Sequence, residues 1–169
     1  MPITPLHFGP GLLGKGLVPR SYSWTAFCAA NVAIDVESLY HLWRHDWPVH
    51  RQLHTFLGAT LVALATSALL AGACALARSR IAAIRSPAWR AELAPRGIVI
   101  GALAGGLTHP ILDGLMHADI EPFQPFTAAN PLHALVGVPA LHAGCIVAGV
   151  LGAVLLLMRL PRASRTPRS

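Results

Sequence analysis

The sequence predicts an all-α integral membrane protein: a bundle of about four transmembrane helices plus a short N-terminal re-entrant or interfacial helix. Three observations carry this. Of 169 residues, 54% are hydrophobic and only 12% charged, with mean hydropathy +0.54; soluble domains carry about 25% charged residues. Two long stretches, residues 53–77 and 132–158, contain no Asp, Glu, Lys or Arg. The arginines fall mainly in two blocks beside such stretches: Arg78, Arg80, Arg85, Arg90 and Arg96, then Arg159, Arg162, Arg165 and Arg168. That is how cytoplasmic segments read under the positive-inside rule.

The same numbers exclude other classes. Disorder requires low hydrophobicity. A disulfide scaffold requires paired cysteines in numbers, and Cys28, Cys74 and Cys145 stand far apart in apolar runs. The net charge of +6 does not make a nucleic-acid surface, because the basic residues are not interleaved with aromatics. Residues 1–160 therefore read as one membrane-embedded domain. Residues 161–169 read as a disordered, basic, cytoplasmic tail.

The elements follow in order. Residues 1–16 are apolar and rich in Gly and Pro, too short to span, and lack the basic leader of a cleaved signal peptide. The first span, about residues 22–42, is apolar but carries Asn31, Asp35 and Glu37. Residues 53–77 form the second, a helix of about 37 Å at 1.5 Å per residue. Residues 97–116 form the third, with Pro110 expected to kink it and free a carbonyl near Gly106. Residues 132–158 form the fourth. With residues 78–96 and the tail cytoplasmic, the segments around 43–51 and 117–131 lie on the outer, periplasmic face of a bacterial inner membrane. The second of these, HADIEPFQPFTAANP, holds Pro122, Pro125 and Pro131 and cannot be helical throughout. Its Phe123 and Phe126 suit an aromatic belt at headgroup level.

Ionisable groups at membrane depth are costly unless paired or functional. Histidines number 9 against 7 Asp plus Glu. On this topology all the acids except Glu92, and all the histidines except His7, gather toward the outer face. His109, Asp113 and His117 recur every fourth residue and so share one helix stripe; His50 and His54 have the same spacing. Asp35 and Glu37, two apart, cannot both face the bundle, and Asp35 is the better placed. Imidazole and carboxylate donors are ligands for zinc first, and for manganese or iron. Asp35, His54, His109 and Asp113 lie deep in apolar segments with no adjacent Lys or Arg, so they lead the candidates. His41, His45, His133, His142, Asp119 and Glu121 have ordinary readings as loop or interhelical polar groups, and Glu37 as a partner of Arg44 or Arg51.

Four segments, TPLHFGPG (residues 4–11), NVAIDVE (31–37), HRQLHTFLGA (50–59) and THPILDGLMH (108–117), together resemble the YdjM-like, LexA-regulated, membrane-bound metal-dependent hydrolases of bacteria. The resemblance covers about residues 4–131. It departs at His54, which Leu53 precedes and Thr55 follows where members carry Thr and Ser. It implies a divalent-metal hydrolase with His7, Asp35, His50, His54, His109 and Asp113 as the metal-binding set. With a cytoplasmic N-terminus His7 could not meet an outer cluster; one resolution is a re-entrant half-helix over residues 6–17, capped by Thr4 with Pro5 as its first residue. The leading assignment makes His7, Asp35, His54, His109 and Asp113 metal ligands, with His117 and His50 in proton transfer. The substrate class is a small or lipid-like ester, phosphoester or amide; the expected partner is the lipid bilayer, and no nucleic acid is expected. A membrane cytochrome with haem between His54 and His109 or His142 is a rival. A metal or proton carrier is another, and it requires ionisable groups toward both faces.

Overall fold

The computed structural model describes residues 5–77, 80 and 87–159. Thr4, most of the 78–86 segment and the 160–169 tail, on which the cap and tail expectations fall, lie outside the described residues. Among those described, every regular element is helical. A 3₁₀ turn, Pro5–His7, leads into α1, Phe8–Leu17. Then come α2, Trp24–Arg44, a 3₁₀ turn, Gln52–His54, and α3, Phe56–Leu76. The chain continues with α4, Pro87–Glu92, α5, Pro95–Met116, and α6, Val138–Met158.

Local sequence explains the helix starts. Ser23 caps α2 by accepting from the Ala26 amide at 3.1 Å, and Thr55 caps α3 by accepting from Gly58 at 2.9 Å. Proline occupies the first turn of both α5 and α6, where its missing N–H is no loss. Pro110 lies inside α5, and the helix runs on through it to Met116.

Helices α3, α5 and α6 are long and apolar enough to cross a membrane. Three of the four expected spans are long and apolar enough; α2 has the length, 21 residues, but is less apolar. Its polarity is concentrated on one side: Asn31, Asp35 and Ser38 are buried, while Val32, Val36 and Leu39 are exposed. The exposed side chains of α3 and α6, such as Leu61, Leu64, Val147 and Leu151, are likewise apolar.

Small residues let the helices approach. Gly97, Gly101 and Gly105 form a four-residue repeat on α5 against the start of α2, and Ser23 donates its amide to the Gly97 carbonyl at 3.0 Å. A Cβ on Gly105 would lie 2.6 Å from the Phe27 carbonyl oxygen and 2.8 Å from Asn31 Nδ2. Ala59 and Ala63 of α3 meet Gly106 on another face of α5. Ala26, Ala30, Ala63, Ile98 and Ala102 form the buried apolar centre. The third seam joins α1 to α6, with Gly9 against Cys145 and Gly16 against Gly152. These contacts make α1, α3 and α6 run one way and α2 and α5 the other. One end of the bundle carries Arg20, Arg90, Arg96 and Arg159; the other carries the long loops.

The arginine end is closed by a buried ion pair. Lys15 of α1 pairs with Glu92 of α4 and donates to the carbonyls of Pro19 at 2.9 Å and Tyr22 at 2.7 Å. Glu92 also accepts from Ser23 Oγ at 3.2 Å and the Thr25 amide at 3.1 Å. The segment that reads in the sequence as a simple basic linker therefore contains a short helix. Its one acid turns inward to Lys15, whose buried ammonium requires a counter-charge.

Gly105→Leu is expected to destabilise the detergent-purified protein by about 1–3 kcal/mol through overpacking. Gly72→Leu, where a Cβ meets nothing within 4 Å, is expected to leave the melting temperature unchanged. Thermal unfolding of the two variants checks the α2–α5 seam.

Candidate metal centre

Five side chains from four elements converge toward the loop end. His7 comes from the turn before α1, Asp35 from α2, His54 from the turn before α3, and His109 and Asp113 from successive turns of α5. All five are buried. Asp35, His54, His109 and Asp113 each offer a donor atom within 4.8 Å of all the others. His109 Nε2 lies 3.1 Å from Asp113 Oδ2 and 3.4 Å from Asp35 Oδ1. His54 Nε2 lies 3.7 Å from Asp113 Oδ2 and 3.9 Å from Asp35 Oδ1. His7 Nε2 lies 3.1 Å from Asp113 Oδ1. Two donors of one tetrahedral zinc stand about 3.3 Å apart, and these separations bracket that value.

The far edges of two imidazoles are fixed by protein oxygens. His109 Nδ1 faces Asn31 Oδ1 at 3.0 Å, and Asn31 Nδ2 donates to the Phe27 carbonyl at 2.9 Å, which sets the amide's orientation. Asn31 Oδ1 can only accept, so His109 donates from Nδ1 and turns its Nε2 edge toward the two aspartates. His54 Nδ1 faces Glu37 Oε2 at 3.2 Å. Glu37 is itself held by the amides of Arg51 and Leu53 at 3.0 Å. Such outer contacts fix tautomer and ring direction in metal-binding histidines. Ser38 Oγ also lies 3.2 Å from His54 Nε2.

The near edges are unsatisfied. His109 Nε2 and both ring nitrogens of His7 are buried without an aligned hydrogen-bond partner, although carboxylate oxygens are close. Two carboxylates around a buried imidazole edge in a dry bundle need positive charge between them, which a protonated ring or a bound cation supplies. A divalent cation supplies that charge, and the donor set fits one.

A second group adjoins the first. His50 Nδ1 lies 2.9 Å from Asp119 Oδ2, and the His50 ring stacks on that of His117 with centroids 4.6 Å apart and planes at 28°. The His50 ring is also 4.8 Å from that of His54. Burial pushes the His50 imidazole below the ordinary histidine range, with His54 adding to the effect and Asp119 opposing it. Burial likewise lowers His117. For Asp119, burial works upward, but the His50 hydrogen bond and charge outweigh it and hold the carboxyl below its usual range. Asn130 anchors this loop by donating to the carbonyls of Gly114 at 3.0 Å and His117 at 3.2 Å.

The geometry departs from the spacing in several places. The His109–Asp113–His117 stripe breaks at its last member: α5 ends at Met116, His117 is extended, and its ring goes to His50. Asp35 and Glu37 do both reach the centre, on opposite edges of the same His54 ring, because the 52–54 turn lies across α2 between them. Glu37 takes the backbone amides of Arg51 and Leu53 rather than an arginine side chain. Asn31 reads in the sequence only as a polar residue in a span; an amide one turn before Asp35 is the one signal it carries there. His41 sits 3.8 Å from Asp46, His45 caps α2 in the left-handed conformation at φ 56°, and His133 and His142 lie apart from both groups.

Asn31→Ala is expected to weaken zinc binding about 10–100-fold, as loss of an orienting contact does elsewhere, with little change in melting temperature. Chelator competition on the purified protein measures it, and unchanged affinity would show that His109 needs no orientation from α2. Comparison with known proteins found no match to any family model, curated sequence or solved structure, so the functional reading stands on this geometry.

Proposed function

We propose that this chain is a membrane-embedded, metal-dependent hydrolase whose cation is held by Asp35, His54, His109 and Asp113, with His7 set against the other oxygen of Asp113. The observation that carries the reading is the buried convergence of four donors within 4.8 Å, with unsatisfied imidazole nitrogens turned toward two carboxylates. The donor chemistry favours zinc, then manganese or iron. The resemblance to YdjM-like hydrolases names the same residues and adds His50, which lies in the neighbouring group, and His7 gains most from it.

In this reading α2 is the fourth span, its apolar Val32, Val36 and Leu39 facing lipid. The arginine end is cytoplasmic in a bacterial inner membrane, and the loop end is periplasmic. Helix α1 is a half-helix that rises from the arginine end to mid-depth, which brings His7 to the centre from within the bundle. Exposed Trp43, Trp47 and Phe126 mark the headgroup level at the loop end.

A bound divalent cation with an open position activates water and polarises an ester, phosphoester or amide. The protein's own part is to hold the donors, keep Asp35 and Asp113 ionised and exclude bulk water. His50 and His117 stand at the rim, where proton transfer or ligation is open to neutral imidazoles. A groove of about 470 Å³, lined by Gln52, Thr55 and Gln124 and then by Leu57, Leu61 and Ala65 of α3, runs on the outside of the turn that carries His54, with none of the centre's side chains in its wall. Polar at one end and apolar along a lipid-facing helix, it suits a lipid-like substrate.

The geometry disfavours the rivals. The His54 and His109 rings are 5.1 Å apart with both aspartates at their Nε2 edges, which leaves no slot for a porphyrin. Along α2 and α5 the buried residues between the arginine end and the centre include Phe27, Ala30, Ile98 and Ala102, which disfavours a carrier's polar path.

The test uses full-length protein in detergent, zinc-loaded or chelator-stripped, against p-nitrophenyl acetate, p-nitrophenyl phosphate and phospholipid micelles. Zinc-dependent product release is expected, and Asp113→Asn, which removes a ligand, is expected to lower it by at least the roughly 10–100-fold that loss of an outer contact costs. Equal metal content in wild type, Asp113→Asn and His109→Ala would overturn the reading.

A further inference from the structure

The loop-end group has features that a simple hydrogen-bonded pair does not explain. His50 and Asp119 alone would satisfy each other at 2.9 Å. Yet a third donor is brought to them: His117 leaves the axis of α5, lies face to face with His50 at 4.6 Å, and puts a nitrogen within 4.8 Å of both partners' donor atoms. Asn130 holds the His117 backbone in place, and Phe56 ties the loop to α3 by donating its amide to the Pro122 carbonyl at 2.8 Å. The three donors come from two separate connections, one before α3 and one after α5.

We propose that His50, His117 and Asp119 hold a second divalent cation beside the first. The proposal rests on the metal-dependent reading above and deepens it. It gives His50 and His117 the role of ligands in place of proton transfer. The two groups are neighbours through His50, whose ring lies 4.8 Å from that of His54. Adjacent cation sites of His and Asp donors are the arrangement of two-metal hydrolytic centres, in which one ion serves the attacking and the other the leaving oxygen. A site with only three protein donors keeps positions open for solvent or substrate. The Asp119 side chain is 29% exposed, whereas that of Asp113 is 5% exposed. The second site therefore faces the loop end and binds its ion more weakly.

Equilibrium dialysis of the intact, detergent-purified protein against Zn²⁺, with Co²⁺ absorption as an independent readout, tests this. Wild type is expected to bind two ions per chain in two phases. Asp119→Asn and His117→Phe are each expected to bind one, with the tight phase unchanged; the phenylalanine keeps the ring stack and removes only the nitrogens. Saturation of wild type at one ion, with both variants identical to it, would overturn the second site and leave the proposed hydrolase intact. No bound ion in wild type would overturn both.

Discussion

Two carboxylates, Asp35 and Asp113, are buried in an apolar bundle and both face His109 Nε2, at 3.4 and 3.1 Å. Like charges so close in a low-dielectric interior are tolerable only if positive charge lies between them. Much of the loop end answers that demand. His7, His54 and His109 bring nitrogens from three directions, and Asn31 and Glu37 take the opposite edges of two of the rings. Without the acids, the buried imidazoles would gain nothing from meeting. Without the imidazoles, the acids could not remain ionised there.

The convergence needs helices closer than ordinary side chains allow. The α2–α5 seam shows how packing and site are one arrangement. Gly105 has no Cβ, so Asn31 can lie against α5 and reach His109 one turn further on. The α1–α6 seam does the same for His7, since the close contact of Gly9 with Cys145 positions the chain that precedes α1. In a bilayer, where lipid is as apolar as the helix faces, such close packing and buried polar contacts replace the hydrophobic drive of soluble folds. The Lys15–Glu92 pair locks the far end of the bundle, opposite the buried His/Asp cluster.

Much of this is legible in the sequence. The long apolar runs mark α3, α5 and α6, and the four-residue spacing pairs His109 with Asp113. The depth of Asp35 and His54 in uncharged segments singles them out without any knowledge of their neighbours. Other features are set by tertiary contacts that spacing does not encode. His117 leaves its stripe because the helix ends one residue earlier. Glu37 joins Asp35 because a turn from elsewhere lies between them. Asn31 reads as an ordinary polar residue until its amide is placed between Phe27 and His109. Glu92 looks like a linker acid because its partner, Lys15, is far away in sequence. Residues 22–42 read as a full span, yet α2 is less apolar than the other three long helices, because its polar residues gather on the buried side.

X-ray absorption at the zinc edge, on the purified zinc-loaded protein, tests the central claim most directly. The expected coordination is nitrogen and oxygen only, at about 2.0–2.1 Å, with imidazole scattering that diminishes in His109→Ala. A sulfur shell at about 2.3 Å would assign the metal to the cysteines instead. That result, or a spectrum unchanged in His109→Ala, would contradict a centre built on Asp35 and Asp113.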